Sequence, residues 1–306
     1  MRVAVLGPGG VGGLLAGVLE RAGVRTSVIA QEATAARIAE RGIEVKSAMF
    51  GDFTARVRAE ARLGEEVDAL IVATKAVGLE KALARIEVEP GLVLPQLNGL
   101  DHIGVLRERF APERVLAGTI RVESDRPEPG VVEHRSPFVF VDMASRYESA
   151  KAGMEELVRT LEGAGVPARV KLPIGAVSEA DVMWSKLVRL NALACTTSAY
   201  DKLLGEIRNT PELRADLVGA IEEACRVGQA EGAQDVNAEQ GIGELELAHD
   251  SLGSSMQRDI AAGRTPELDA IPGAVLRAGA RHGLRCPTIE RLVRTIAARA
   301  GVPAPL

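Results

Sequence analysis

The sequence predicts an α/β N-terminal half followed by an all-α C-terminal half, and three observations predict it. Short apolar, β-branched runs alternate with helix-like runs through the first half, the pattern of a mostly parallel sheet with crossover helices. A glycine-rich stretch, "VLGPGGVGG" from Val5, joins the first such strand to the first helix. From Ser178 onward the chain is rich in Ala, Leu, Glu and Arg, and reads as helices broken by Gly and Pro.

Taken in order, "RVAVL" (Arg2 to Leu6) reads as a buried strand and Val11 to Ala22 as a helix. "VRTSVIA" (Val24 to Ala30) is a second strand, and "EATAARIAERG" a helix ending at Gly42. "IEVKS" and "DFTARVRA" read as a hairpin or a pair of antiparallel additions. "VDALIVATK" (Val67 to Lys75) is a continuous apolar strand, Val77 to Ile86 a helix and "GLVLPQLNG" a further strand. The segment from Glu113 to Met143 gives two or three strands joined by a turn around Pro127 to Gly130. Helices are expected at Ala180 to Leu203, Pro211 to Glu231, near Ser255 to Ala262, Leu268 to His282 and Pro287 to Ala300. The composition changes near residue 172, which predicts domains at 1–172 and 173–306.

Gly7-Pro8-Gly9-Gly10-Val11-Gly12 matches G-x-G-x-x-G, and its setting after a strand and before a helix makes the match informative. Gly7 permits the tight turn, Gly9 lets backbone approach a pyrophosphate and Gly12 allows close helix-on-strand packing. The first helical N–H groups, from Gly10 and Val11, then face the anion with the positive end of the helix dipole. The N-terminal domain is therefore expected to be a Rossmann-like dinucleotide-binding domain. A basic or acidic residue after the second strand usually chooses between NADP and NAD. Here the segment reads Ala30-Gln31-Glu32, with Arg37 further along the helix, and both cofactors stay open.

Composition removes other classes. With 306 residues, 46% hydrophobic and 26% charged, the chain has ordinary globular usage, and at 3% aromatic its core must be aliphatic. A net charge of −5 with no polybasic run gives no reason to expect nucleic acid or a membrane surface. Cys195, Cys225 and Cys286 are far apart and odd in number, so they make neither a disulfide framework nor a metal knuckle, and no metal is expected. No apolar run reaches a membrane span and "RVAVLG" runs straight into glycines with no cleavage signal, so the cytoplasm is the expected location.

Reduction of a carbonyl by a nicotinamide needs a proton donor near the developing alkoxide. Lys75 and Asn98 follow two apolar strands directly, at the edge where open α/β sheets bind ligands. Lys186 sits in the otherwise apolar "VMWSKLVRLNALA", beside Trp184, Leu187, Leu190 and Leu193. Partial desolvation there would lower its pKa, while snorkelling to solvent is the competing reading for a lysine taken alone.

Five features recur in order: the Gly7 to Gly12 fingerprint, "ATK" with Lys75, "QLNGL" with Asn98, "WSKL" with Lys186, and "SSMQRDIAAGRTPELD" with Ser255 and Glu267. With them the chain resembles the ketopantoate reductase (2-dehydropantoate 2-reductase) family over nearly its whole length. The resemblance implies an NADPH-dependent reductase of a 2-keto acid, first of all 2-dehydropantoate in pantothenate biosynthesis, with substrate held in the interdomain cleft. It implies that Lys186 is the general acid and that Glu267 orients the substrate or the lysine. Ser255 and Asn98 match substrate-contacting positions, and Lys75 a position near the nicotinamide ribose, with Asn98 also on the cofactor side.

Two departures bear on specificity. The family's usual arginine for the 2′-phosphate is Gln31 here, which opens the site to NADH as well. Asparagines four and eight residues after the catalytic lysine are replaced by Leu190 and Ala194. Asn191 is no substitute, because five helical residues turn it ~140° away from Lys186. Another 2- or 3-hydroxy acid or an imine is therefore an alternative substrate, and a non-catalytic dinucleotide sensor is the alternative of a different class. The helical half also offers a surface for a homodimer, and no sequence feature fixes the oligomeric state.

Overall fold

The computed structural model describes residues 1–305; Leu306, last in the predicted helical domain, lies outside the described residues. The chain divides into two compact units, Met1–Leu97 with His102–Val182, and Asn98–Asp101 with Met183–Leu306.

The first unit opens with β1 (Arg2–Leu6), α1 (Gly10–Arg21), β2 (Arg25–Ile29), α2 (Glu32–Arg41), β3 (Ile43–Ser47), β4 (Phe53–Ala55) and β5 (Arg58–Glu60). It continues with β6 (Ala69–Val72), α3 (Leu79–Leu83), β7 (Leu92–Pro95), α4 (His102–Arg109), β8 (Ala117–Arg121) and β9 (Ser124–Asp125). Next come β10 (Val131–His134), β11 (Phe140–Ala144), α5 (Lys151–Gly163) and β12 (Ala168–Val170).

Five parallel strands form the main sheet in the order β5-β2-β1-β6-β7. β6 and β7 are buried at every position, as strands covered on both faces must be. A second sheet, β4-β3-β10-β9, and a third, β12-β11-β8, complete the unit. The α1 helix is apolar all round, with every residue from Gly12 to Leu19 buried, because sheet covers it on two sides. Leu14, Leu15 and Leu19 join Val3, Val5, Val45 and Val132 in one aliphatic core.

The "DFTARVRA" expectation holds only in part. Phe53–Ala55 pairs antiparallel with β3, but Arg58–Glu60 joins the main sheet parallel to β2. Buried Val57 carries the chain from one sheet to the other, so what reads as one strand is two. The Glu113 to Met143 region holds four strands rather than two or three, and α4, α5 and β12 arise in segments to which the sequence pattern assigned nothing.

The second unit contains most of α6 (Ala176–Tyr200), then α7 (Leu204–Asn209), α8 (Pro211–Ala230), α9 (Ala238–Leu247), α10 (Ser255–Ala261), α11 (Ala274–Arg281) and α12 (Pro287–Ala300). The division falls inside α6, beyond the 172/173 boundary expected from composition. The reason is Glu179 in its first turn, a buried carboxylate paired with Arg107 at 2.6 Å and Arg146 at 2.8 Å, which ties the start of α6 to the α/β unit. A helix expected from Leu268 instead begins with a π turn, Asp269–Gly273, containing Pro272, before α11. Proline cannot donate to the α ladder, so the turn widens there. Among the described residues no helix is long and apolar enough to cross a membrane.

Candidate active site

In the first unit the glycine turn is built as its sequence demands. Gly7 has φ +89°, and its N–H reaches the carbonyl of Ile29 at 3.0 Å, pinning the turn to the end of β2. A Cβ on Gly12 would lie 2.3 Å from the Gly7 carbonyl oxygen, so only glycine lets α1 start this close to β1. Gly9 precedes the helix and would meet nothing nearer than 4.0 Å, which leaves its backbone open to a ligand. No side chain caps α1, so the free N–H groups at Gly10, Val11 and Gly12 are available to an anion. Gly10 also serves packing: its carbonyl accepts from Ser124 Oγ at 2.8 Å, and a Cβ there would strike β9.

Further along the same sheet edge, Gln31 is exposed and Glu32 begins α2. Arg85 meets Glu32 with both terminal nitrogens, Nη1 at 3.1 Å and Nη2 at 3.3 Å, and Nη1 also donates to the carbonyls of Ala30 and Ala61. That guanidinium holds the Glu32 carboxyl below the usual carboxylate range. Arg37 pairs with Glu128 at 2.9 Å. Lys75, exposed, follows β6 and leads a 3-10 turn, Ala76–Gly78. Beside it the buried hydroxyl of Thr74 has no hydrogen-bond partner, and neither end of the buried Gln96 amide, after β7, has one. Orphaned polar atoms at the carboxyl ends of two adjacent parallel strands are what a polar ligand there would satisfy. With the uncapped helix and the open Gly9, they fit a dinucleotide.

In the second unit three of the expected residues come together. Lys186 Nζ donates to Asn98 Oδ1 at 2.9 Å, and Asn98 Nδ2 donates to Glu267 Oε2 at 3.0 Å. The amide can stand only this way round, since the reverse would set NH₂ against ammonium and oxygen against carboxylate. Asn98 is brought here by a four-residue excursion, Asn98–Asp101, that leaves β7 and belongs to the helical unit. Gly99, at φ +88°, lies so close to the Ala270 carbonyl that a Cβ would come within 1.9 Å of its oxygen. Arg277 secures the far end by pairing with Asp101 and Asp269. Lys186 is half-buried, whereas Trp184 and Leu187 are buried, with the Trp184 ring lying over Gly228 of α8.

Ser255 is the first residue of α10, and the neighbouring Ser254 does the capping. Ser254 Oγ accepts from Gln257 N–H at 3.0 Å and from Thr197 Oγ1 at 2.8 Å. Thr197 lies on the Lys186 face of α6, roughly three turns and ~16 Å further along. Leu190 and Leu193 are half-buried on α6, while Ala194 is 1% exposed. Asn191 is fully buried, its Oδ1 accepting from the Cys195 thiol at 3.6 Å. Burial pushes that thiol far up, so it stays neutral.

Sequence reasoning missed Arg85, Thr74 and Gln96. "TK" and "PQLN" place the latter two at strand ends, a signal that could have found them, whereas nothing in "KALARIE" marks Arg85.

The profile described as "Ketopantoate reductase PanE/ApbA" matches residues 3–141, and that described as its C-terminal part matches residues 180–300. A 2-dehydropantoate 2-reductase of Halobacterium salinarum is 28% identical, covering 95% of this chain and 96% of its own. One of Caulobacter vibrioides is also 28% identical, covering 97% and 99%. An uncharacterized oxidoreductase of Bacillus subtilis, YkpB, is 27% identical over 95% and 96%. Among solved structures, D-mandelate dehydrogenase with NADH and anilino(oxo)acetate matches with TM-score 0.87 at 21% identity, covering 98% of this chain and 99% of that one. The 2-dehydropantoate 2-reductase of Geobacter metallireducens matches with TM-score 0.86 at 23% identity, covering 97% and 99%. With both halves matched, the chain belongs to the ketopantoate reductase family of oxidoreductases.

Proposed function

We propose that the protein reduces a 2-keto acid to the 2-hydroxy acid with a nicotinamide dinucleotide, and that Lys186 is the proton donor. The observation that carries this is the Lys186–Asn98–Glu267 chain. A neutral amide holds the ammonium without competing for its proton, and a carboxylate beyond the amide fixes the amide's orientation. Lys186 would polarise the ketone oxygen and give it a proton as the carbon is reduced, and Asn98 would hold Nζ on one line of approach. Gly7, Gly9 and the N–H groups of Gly10 to Gly12 would hold the pyrophosphate, with Lys75 toward the nicotinamide ribose. A reduced nicotinamide bound there supplies the hydride. Glu267 would also be a positioning group for the substrate, and Ser255 a contact for its carboxylate end.

The substrate side chain is inferred to be apolar. With Leu190 and Leu193 half-buried on α6 and Asn191 inside the core, this helix lacks the amides that would meet a hydroxylated side chain. Ketopantoate itself is the second reading, favoured by the relatives named 2-dehydropantoate 2-reductase. The test is turnover of a panel containing ketopantoate, branched aliphatic and aryl 2-keto acids, followed by loss of reduced nicotinamide absorbance. Faster turnover of unhydroxylated acids supports the first reading, and faster turnover of ketopantoate the second. Binding of dinucleotide without reduction of any member would overturn both in favour of a sensor.

A further inference from the structure

The pair formed by Glu32 and Arg85 stands where a bound dinucleotide's adenosine ribose would meet the sheet, and it rests on the dinucleotide reading above. Glu32 opens α2, just past the end of β2 and about twenty residues after the glycines, the region from which an acidic side chain bonds ribose hydroxyls in dinucleotide folds. We infer that Glu32, oriented by Arg85, selects a ribose with a free 2′-hydroxyl, so that this chain binds NADH in preference to NADPH.

The cations near that end of β2 are neutralised by carboxylates, Arg58 by Glu60 and Glu65 among them. Gln31, in the position of the usual cation, is neutral and exposed. Arg37 is committed to Glu128 at 2.9 Å. Arg62 is committed to Glu87 at 2.7 Å, although its charge still reaches Glu32 weakly. Arg85 is the remaining candidate for a phosphate, but its side chain is only 16% exposed. Its Nη1 donates to two backbone carbonyls at 3.0 and 3.2 Å, and both terminal nitrogens meet the Glu32 carboxylate. Engaging a 2′-phosphate would mean breaking that fork and leaving a carboxylate beside a dianion.

Glu32 itself is the available group. Its side chain is 74% exposed although both oxygens touch Arg85, so each oxygen keeps a lone pair toward solvent. Ionised at neutral pH, it accepts from hydroxyls and repels phosphate. Arg85, anchored to the ends of β2 and β5 through Ala30 and Ala61, fixes the carboxylate in place before the ligand arrives. It is a positioning residue.

Isothermal titration calorimetry of the full chain with NADH and with NADPH tests this without turnover. Wild type should bind NADH tenfold or more tightly than NADPH. Glu32→Gln should lose most of that ratio, through weaker NADH binding and stronger NADPH binding. Arg85→Lys keeps the charge but not the fork, and should shrink the ratio several-fold while the melting temperature stays near wild type. Equal or tighter binding of NADPH by wild type overturns the inference. An unchanged ratio in Arg85→Lys, with both affinities lowered alike, overturns the positioning role. Failure to bind either dinucleotide overturns the dinucleotide reading itself.

Discussion

Replacing Gly99 by alanine should damage both stability and turnover. A single methyl there would sit 1.9 Å from the Ala270 carbonyl oxygen, and the residue is held at φ +88°. An L side chain in the left-handed region costs ~1–3 kcal/mol. The overlap is with backbone and not with a rotamer that can swing away, so relieving it costs a further ~1–3 kcal/mol. A total of about 2–6 kcal/mol corresponds to a melting temperature lower by roughly 5–20 °C. If the two units unfold separately, the helical unit's transition is the one that moves, since Asn98–Asp101 belongs to it. Any relief of the overlap shifts Asn98, and with it the anchor of Lys186. A displacement of ~1 Å in a proton donor's support lowers kcat/KM by about a hundredfold. Calorimetry and steady-state kinetics on Gly99→Ala check the two effects. Unchanged melting would refute the packing argument. Lowered melting with unchanged kcat/KM would refute the claim that Asn98 holds Lys186 for turnover.

Lys186→Met should lower kcat/KM by about 10²–10⁴, the worth of a positioned general acid, with dinucleotide affinity retained in calorimetry. Combined with Asn98→Ala it should cost little more than Lys186→Met alone, because the two act as one unit, and additive losses would contradict this. His134 is buried, with Nδ1 at 2.9 Å from Ser47 Oγ and Nε2 at 3.1 Å from the Phe138 carbonyl, and burial pushes its pKa down. The unfolded imidazole takes up its proton first, near pH ~6.5, so stability is full above that value and declines as pH falls through the lower folded pKa. Melting curves from pH ~7 to ~5 should therefore fall more steeply for wild type than for His134→Gln. Glu223 is buried, and its carboxylate accepts the N–H groups of Thr288 and Ile289 at 2.9 and 3.0 Å at the start of α12. Glu223→Ala should cost about 2–4 kcal/mol in denaturant unfolding by orphaning both donors, while Glu223→Gln keeps part of the stability.

Local signals carried much of this structure. "RVAVL" followed by Gly7 to Gly12 reads as strand, turn and helix because each glycine answers a local demand, and Pro287 to Ala300 reads as a helix because proline opens it and Gly301 closes it. β5 was not legible, since its choice of sheet depends on the free edge of β2, separated from it in sequence by α2, β3 and β4 and invisible to a two-residue period. Arg85 was not legible for the same reason. It is an ordinary arginine after a short helix until the fold brings Ala30, Ala61 and Glu32 around it. Lys186, Asn98 and Glu267 could be named separately, but their hydrogen-bonded order follows from an excursion of the chain that no spacing announces.

That order matters chemically, because the carboxylate reaches the ammonium through an amide. An amide cannot take the lysine proton and so does not compete for it with an incoming oxygen, whereas a carboxylate in its place would. Asn98→Asp tests this with an isosteric change. At neutral pH the introduced carboxylate would lie against Glu267 at the 3.0 Å now spanned by the amide, and would pair directly with Lys186. Two carboxylates that close share a proton as pH falls. Once protonated, the new acid donates to Glu267 and offers its carbonyl oxygen to Lys186, restoring the pattern of the amide. The variant should therefore be slower than wild type by tenfold or more at neutral pH and recover part of its kcat toward acid pH, moving its optimum downward. A pH profile parallel to wild type would mean that the neutrality of the link between lysine and glutamate contributes nothing to turnover.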